Sequence, residues 1–210
     1  MDYLLCEKLQ ARLLANLAAH DRVSVERTDL RKAAVCLLVT GTEVSGDASV
    51  VVTLRSSKLN RHSNQFALPG GRLDEGEDHV QAALRETREE IGLDLAPSSV
   101  LGLLDDLVTR SGFIITPVVA WAGTVVEFAP DPAEVASVYR IPLSQLDHPS
   151  IPEMVSDDAS GKQVMSAVFP AVGHRMFAPT AALLYQFREV CLHGRTTRVG
   201  DLGQPEFTRS

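Results

Sequence analysis

The segment from Asp78 to Gly92 constrains the fold more than any other part of this 210-residue chain. Asp78 is followed three residues later by Gln81, a capping-box pattern that predicts the start of a helix. Gly92 predicts its end, because glycine readily adopts the left-handed conformation that follows many helices. At about 100° per residue, the apolar and small residues of this helix fall on one narrow stripe, which we expect to be buried. The stripe consists of Val80, Ala83, Leu84, Thr87 and Ile91.

Three glutamates lie beside that stripe. Measured from its first residue, Glu86, Glu89 and Glu90 project at about 240°, 180° and 280°, so their carboxylates share one arc. Like charges three or four residues apart weaken a helix by about a few tenths of a kcal/mol per pair, so a compensating partner is expected. Mg²⁺ is such a partner, because it takes oxygen ligands. Glu86 and Glu90 are the first-choice ligands and Glu89 is the third. The alternative is a solvated acidic face without chemistry.

The residues around this helix resemble the signature box of the Nudix hydrolase family. That pattern is Gly, five residues of any kind, Glu, seven of any kind, then Arg-Glu-apolar-any-Glu-Glu-any-Gly-apolar. Thr87 departs from it, since an apolar residue is usual there. If each fixed position matched with a frequency of ~7%, one window would fit on the order of 10⁻⁸ of the time. The seven matching positions are Gly71, Glu77, Arg85, Glu86, Glu89, Glu90 and Gly92.

The resemblance implies an α+β Nudix fold, in which a mixed β-sheet is sandwiched between α-helices. It also implies hydrolysis of a diphosphate joined to another group, with Mg²⁺ or Mn²⁺ as cofactor. Arg85 can hold the carboxylate of Glu89, one turn further on. The proton acceptor is left open between Glu89 and a loop carboxylate such as Glu134, and Glu77 is left open between a structural and a metal-binding role. The implied catalytic residues are Arg85, Glu86, Glu89 and Glu90, and the three glutamates are the implied metal ligands.

Residues 52–71 look like the additional motif of the coenzyme A diphosphatase branch of that family. The resemblance extends to about residue 190 and implies cleavage of coenzyme A or its acyl derivatives to 4′-phosphopantetheine and adenosine 3′,5′-bisphosphate. Matches occur at Thr53, Arg55, Ser56, Pro69, Gly70 and Gly71, and departures at Asn60, Asn64 and Leu68. Guanidinium groups bind phosphate in a bidentate manner, which suits a substrate with several phosphates. The candidate substrate-binding residues are Arg55, Ser56, Arg61, His62, Gly70 and Gly71.

Two other functions compete with this interpretation. The departures favour a Nudix hydrolase for ADP-ribose, dinucleotides or modified nucleoside triphosphates. A ligand-sensing module without catalysis is the third alternative. The complete set of Arg85 and the three glutamates argues against it, because a sensor does not need a metal cluster.

The order of predicted elements is that of an α+β sandwich. Apolar runs with β-branched residues predict strands at 32–40, 50–54, 100–108, 113–122 and 124–128. Helices are predicted at 142–146 and 179–192, the latter ending at Gly194. Residues 1–30 form an amphipathic helix and linker, 31–194 the Nudix domain and 195–210 a C-terminal extension. Leu5, Leu9, Leu13 and Leu17 recur every four residues, so the first helix packs on the body of the protein or on a second subunit in a homodimer.

Composition excludes several classes of partner. A net charge of −7 and a pI near 5.3 argue against binding to nucleic acid or to a membrane, so a small-molecule substrate is expected. Charged residues interrupt the apolar stretches of residues 1–20, which argues against a secretory signal or membrane span. Cys6, Cys36 and Cys191 show no paired spacing, which favours a reducing, cytoplasmic location. Four histidines without ligand spacing are interpreted as surface or cap residues; they are His20, His148, His174 and His193.

Overall fold

The computed structural model describes residues 3–43, 46–57, 65–156 and 163–200. Within these ranges the chain forms an eight-stranded sheet, a three-stranded sheet and four α-helices. The larger sheet contains β1 (Arg31–Gly41), β2 (Ala48–Arg55), β3 (Phe66–Ala67), β4 (Gly70–Arg72), β5 (Val100–Leu103), β6 (Leu107–Val108), β7 (Phe113–Trp121) and β8 (Val135–Pro142). The smaller sheet contains β9 (Glu153–Ser156), β10 (Gln163–Val168) and β11 (Arg175–Phe177). The helices are α1 (Glu7–Ala19), α2 (His79–Ile91), α3 (Leu143–Leu146) and α4 (Thr180–Phe187), which continues as a π-helical turn over Arg188–Leu192.

Strand β1 is the centre of the larger sheet. It pairs in parallel with β7 over nine residues and antiparallel with β2, so the sheet is mixed. Its first half also pairs antiparallel with β4, with Ala34 opposite Gly71. This pairing fixes the backbone of the Gly70–Gly71 pair against the middle of the molecule.

Alternate residues of β1 face two separate cores, as expected for a strand covered on both sides. One core contains Ala34, Cys36 and Leu38 together with Ala82, Ala83 and Ile91 of α2. The other contains Leu37 and Val39 together with buried residues of α1 and α4. The sheet therefore lies between helices, which confirms the predicted α+β sandwich.

Helix α1 packs on the body of the protein. Leu9, Leu13 and Leu17 are buried in the core beneath it, which explains the four-residue spacing of leucines. Asn16 donates a hydrogen bond of 2.8 Å to the carbonyl of Cys191 and so joins the first helix to the last helical turn. The homodimer and the proposed domain boundaries stay predictions. None of the helices in the described part of the chain has the length and apolarity needed to cross a bilayer.

The structure corrects two predicted elements and contains a sheet that was not predicted. Residues 124–128 do not form a strand; instead the carbonyl of Thr124 accepts bonds from Gly41 N and Thr40 Oγ1 at the end of β1. The predicted strand at 100–108 is split into β5 and β6, because Asp105 between them turns its carboxylate inward to other partners. The sheet of β9, β10 and β11 was not predicted, since its strands are only three to six residues long.

The carboxylate of Asp105 ties the segments at both ends of the described chain to the body. It accepts bonds from the His20 ring at 2.9 Å, Val23 N at 2.8 Å, Gln186 at 2.8 Å and Arg198 at 2.7 Å. His20 is the residue that caps the C-terminus of α1, one of the two roles predicted for it, and its side chain is only 1% exposed rather than at the surface. Residues 195–200 of the predicted C-terminal extension also contact the body through Arg198, whereas residues 201–210 lie outside the described ranges.

Candidate active site

The start and end of α2 are as the sequence predicts. The Asp78 carboxylate accepts from Gln81 N at 2.8 Å, and the Gln81 side chain accepts from Asp78 N at 2.9 Å. Gly92 follows the helix with φ of 69°. These two ends set the bounds of α2, and the burial of one face against β1 sets the direction in which its glutamates point.

The predicted stripe on α2 is buried except at Val80, which is partly exposed. Ala82 is buried as well, so the buried face is wider than the helical projection indicated. Thr87, which replaces the usual apolar residue, donates its hydroxyl to the carbonyl of Ala83 at 2.7 Å. Its polar atom is thereby satisfied inside the helix although the residue is buried.

Strand β4 lies close to β1 at Gly70 and to the end of the Glu86 side chain at Gly71. A Cβ on Gly71 would lie 2.3 Å from Oε1 of Glu86, and a Cβ on Gly70 would lie 2.4 Å from the carbonyl oxygen of Ala34. Gly70 also has φ of 154° and donates its N–H to Oε2 of Glu90 at 3.1 Å. The carboxylates of Glu86 and Glu90 therefore both lie against the backbone of the glycine pair.

Arg85 is the cation at the centre of this cluster. Its Nε lies 2.7 Å from Oε1 of Glu77, and its Nη1 lies 2.9 Å from both Oε1 of Glu86 and Oε2 of Glu89. Its Nη2 donates to the carbonyl of Arg72 at 3.0 Å. The predicted contact between Arg85 and Glu89 is therefore present. Glu77 is held by Arg85 at the foot of the helix, and its role stays open between structural and metal-binding.

The pKa values of the glutamates differ with their burial. Burial raises the pKa of Glu90 to about 7, although the N–H of Gly70 and the charge of Arg55 act in the opposite direction. Burial also raises the pKa of Glu86, and Arg85 reduces this shift. The pKa of Glu77 is lowered, chiefly by its hydrogen bond from Arg85. Glu134 adds negative charge near both Glu86 and Glu90, so the site holds more carboxylate charge than its two arginines neutralise.

This donor set fits a hard divalent cation, although it is not assembled as a three-ligand site. Among the described residues, no three His, Cys, Asp or Glu side chains are grouped closely enough to hold a metal ion. The reason is visible at Arg85, which binds Glu86 and Glu89 itself. Glu86 and Glu90 nevertheless place carboxylate oxygens beside the backbone of the glycine pair. A bound cation would offset the free-energy cost of burying their negative charges. Glu89 is 50% exposed and its assignment as a ligand stays a prediction.

Two adjoining cavities open beside the glycine pair. The first, of about 260 Å³, is lined by Gly70, Gly71, Arg55 and Arg72 together with residues around Phe113. The second, of about 520 Å³, is formed mostly by Phe66 and residues 174–180. Both cavities share four wall residues, which are Gln65, Phe66, Pro179 and Thr180. The two cavities are therefore neighbours, and the smaller one lies beside the glycine pair.

The predicted substrate-binding residues fall into three groups. Arg55, Gly70 and Gly71 line the smaller cavity, and Nη1 of Arg55 lies 3.6 Å from Oε1 of Glu90. Ser56 is buried, and its backbone N–H donates to the carbonyl of Glu134 at 2.8 Å, so it contacts the loop that carries the candidate base. Arg61 and His62 lie outside the described residues.

Other cavity residues were missed by sequence reasoning. Phe66 forms the wall between the cavities, and its carbonyl accepts a 2.9 Å bond from Thr180 Oγ1. Arg72 and Phe113 line the smaller cavity from β4 and β7. The only local signal in the sequence that could have indicated Arg72 is its position directly after the glycine pair. Phe66 and Phe113 read in sequence as ordinary apolar strand residues.

Fold and site together define an α+β protein with a glutamate-rich helix packed on a glycine strand beside a cavity, an arrangement suited to binding phosphate groups with divalent cations. The family model for the NUDIX domain matches residues 29–160, which include helix α2, the glycine pair and most of the residues that line the smaller cavity. The chain therefore belongs to the Nudix family, as the signature box predicts.

Several curated relatives are similar to this chain. It is 37% identical over 139 residues to the human mitochondrial coenzyme A diphosphatase NUDT8, an alignment that covers 64% of this chain and 56% of the relative. The mouse protein of the same name is 34% identical over 145 residues, with 67% and 64% covered. The uncharacterized Nudix hydrolase NudL of Pectobacterium atrosepticum is 37% identical over 98 residues, with 46% and 51% covered. The chain thus spans about half to two thirds of the length of these relatives.

A solved structure supports the fold. The MutT/nudix family protein from Enterococcus faecalis superposes with a TM-score of 0.55 and 14% identity, covering 79% of this chain and 64% of the other. The likeness concerns the fold alone, since the identity is low. It agrees with the mixed sheet and flanking helices described above.

Proposed function

We propose that this protein is a hydrolase that cleaves a diphosphate linked to a nucleoside and a second group, with Mg²⁺ or Mn²⁺ as cofactor. One observation carries the proposal: the carboxylates of Glu86 and Glu90 lie against the Gly70–Gly71 backbone, which also lines the smaller cavity. A phosphate group and the divalent cation that binds it can thus lie together beside the edge of β4. A solvated acidic face would not bury Glu90 to 3% exposure.

The residues of the chain have separate roles in this reaction. Glu86 and Glu90 would hold the cation, with Glu89 as a third ligand, and Arg85 keeps Glu86 and Glu89 in position. Such a cation neutralises phosphate charge and lowers the pKa of a bound water. The backbone of Gly70 and Gly71 lets phosphate approach without steric hindrance from a Cβ. The proton acceptor is Glu89 or Glu134, and both carboxylates lie near enough to influence Glu86 electrostatically.

Coenzyme A or an acyl derivative is the proposed substrate, with 4′-phosphopantetheine and adenosine 3′,5′-bisphosphate as products. Support comes from the two relatives named coenzyme A diphosphatase and from Arg55, which lines the cavity beside Glu90. The two adjoining cavities also suit a long molecule with a moiety on each side of its diphosphate. Arg61 and His62 belong to this proposal as further phosphate-binding residues.

A substrate panel tests the proposal. The purified protein is incubated with Mg²⁺ or Mn²⁺ and, in turn, coenzyme A, acetyl-coenzyme A, NADH, ADP-ribose and 8-oxo-dGTP, and the products are separated by chromatography. We expect the highest kcat/KM for coenzyme A or its acyl form. Faster turnover of another compound would assign the alternative Nudix substrate, and no turnover of any compound by folded protein would favour the sensing module.

A cytoplasmic, reducing location is a further part of the proposal. Its support is that all three cysteines are free thiols, with Cys36 and Cys191 buried and Cys6 exposed. Burial raises the pKa of Cys36 and Cys191, so these two thiols are unreactive structural residues. Fluorescence microscopy of the tagged protein in its native cell tests the location.

A further inference from the structure

Two arginines stack on one aromatic ring at the wall of the smaller cavity. The guanidinium carbon of Arg31 lies 3.9 Å from the ring centroid of Phe113, and that of Arg72 lies 5.4 Å from it. Both distances are within the range of cation–π attraction. One ring therefore contacts two guanidinium groups, whose positive charges an anion beside them would stabilise.

These charges lack a carboxylate partner in the described part of the chain. Arg72 makes its cation–π contact with Phe113 but no ion pair there, and Arg31 adds only a 2.8 Å bond to the carbonyl of Ser111. The chain as a whole carries a net charge of −7, and Arg55, the other arginine that lines the smaller cavity beside Arg72, is paired with Glu90. Two unpaired guanidinium groups on one ring are therefore a local exception to the acidic surface.

Hydroxyl groups complete this corner of the cavity. Thr109 and Ser111 line the cavity beside Phe113 and Arg72, and their hydroxyl oxygens lie 3.0 Å apart. Guanidinium and hydroxyl groups are the side chains that donate to phosphate oxygens. The glycine pair lies on the same cavity, so this corner is next to the glutamate cluster and separate from it.

We propose that Arg72 and Arg31, stacked on Phe113, bind a phosphate monoester of the substrate that is not part of the cleaved diphosphate. This inference rests on the proposed function. In coenzyme A the group would be the ribose 3′-phosphate, which distinguishes that molecule from its dephospho form. Arg72 is then a specificity-determining residue, and the corner formed with Thr109 and Ser111 selects for a doubly phosphorylated nucleoside.

The test compares coenzyme A with 3′-dephospho-coenzyme A in wild type, Arg72→Gln and Arg31→Gln. A charge-assisted hydrogen bond to phosphate contributes about tenfold or more in binding, so wild type should prefer coenzyme A by about that factor in kcat/KM. The preference should fall about tenfold in Arg72→Gln and less in Arg31→Gln, whose guanidinium also binds a backbone carbonyl. Lys8→Gln, an exposed charge change on α1, is the control and should keep the wild-type ratio.

Arg72→Gln keeps the backbone carbonyl that accepts from Arg85, so the glutamate cluster is unchanged by the substitution. A merely structural role for the stacked arginines would lower turnover of both substrates equally and leave the ratio at its wild-type value, and that result would overturn the proposal.

A binding measurement separates this inference from the proposed activity. Calorimetry without divalent metal compares adenosine 3′,5′-bisphosphate with adenosine 5′-monophosphate, and no turnover is needed. Tighter binding of the bisphosphate to wild type, lost in Arg72→Gln, would support the phosphate site even if coenzyme A were not hydrolysed. Equal binding of both nucleotides, or no binding of either, would contradict it.

Discussion

The Arg85 cluster and the Asp105 cluster are built in opposite ways. In the first, one guanidinium group lies within about 3 Å of three carboxylates, those of Glu77, Glu86 and Glu89. In the second, one carboxylate accepts hydrogen bonds from four donors, which belong to His20, Val23, Gln186 and Arg198. The first cluster has an excess of negative charge and the second has an excess of donors.

The pKa shifts follow this difference. Burial raises the pKa of Glu86 and of Glu90, the latter to about 7, because too few partners stabilise their charge. Burial would also raise the pKa of Asp105, but the bonds from Arg198, Val23 and His20 outweigh it and the pKa is lowered. Carboxylates whose pKa is raised because few partners stabilise their charge are typical of ligand-binding sites, whereas fully paired carboxylates are typical of structural positions. The Arg85 cluster is therefore the candidate binding centre, whereas the Asp105 cluster holds distant segments of the fold together.

The largest expected effect is on catalysis, in Glu90→Gln and in Glu86→Gln. Each change keeps the shape of the side chain but removes a negative oxygen, so kcat with Mg²⁺ should fall by at least about 100-fold. In Glu90→Gln the introduced amide oxygen can still accept from Gly70 N, so circular dichroism and the unfolding midpoint should stay close to wild type. Steady-state kinetics on the best substrate of the panel gives the measurement.

Glu75→Gln is the matched control for these two variants. Glu75 is exposed on the loop that leads to α2, and the same chemical change there should leave kcat within about twofold of wild type. Near-normal activity in both Glu86→Gln and Glu90→Gln would show that the excess carboxylate charge has no part in metal binding.

Asp105→Asn is expected to lower the stability of the fold and to leave catalysis nearly unchanged. This substitution leaves Arg198 and His20 without their shared carboxylate and should lower the free energy of unfolding by about 2–3 kcal/mol, less than for a fully buried pair because Arg198 is 42% exposed. The kcat of the folded protein should be nearly unchanged. Urea unfolding followed by circular dichroism measures the loss, and Asp29→Asn, in an exposed pair with Arg27, should show almost none. Equal losses in the two variants would mean that the Asp105 cluster is no more than a surface ion pair.

The two clusters also differ in how far the sequence predicts them. The contacts of Arg85 with Glu89, the capping box and Gly92 involve residues three or four positions apart, so helical spacing alone indicates them. The proximity of Gly71 to Glu86 is long-range, and only the resemblance to a known box suggested it. The partners of Asp105 lie 81 to 93 residues away, at distances for which no periodicity exists.

The same limit explains the errors in the fold. An apolar run such as 124–128 has the composition of a strand, but Thr124 uses its carbonyl to cap β1 and the run gains no neighbouring strand. His20 caps α1 as one of its predicted roles allows, but nothing nearby in the sequence indicates that its ring will be buried against Asp105. Local chemistry predicts helix ends and helix faces, whereas the choice of a distant partner depends on the packing of the whole sheet.

The smallest expected effect is a pH dependence that belongs to the Asp105 cluster. Because its pKa is lowered by folding, Asp105 contributes stability above its unfolded pKa of ~3.9 and loses that contribution as the pH falls through its folded value. The difference in unfolding free energy between wild type and Asp105→Asn should therefore be constant from pH 7 to about pH 5 and shrink below about pH 4, by at most ~1.4 kcal/mol per pH unit. Urea unfolding of both proteins at intervals between pH 7 and pH 2.5 provides the curve. If the difference in unfolding free energy instead grew as the pH fell, the donors around Asp105 would not be stabilising its charged form. The Asp105 cluster would then no longer differ from the Arg85 cluster in this respect.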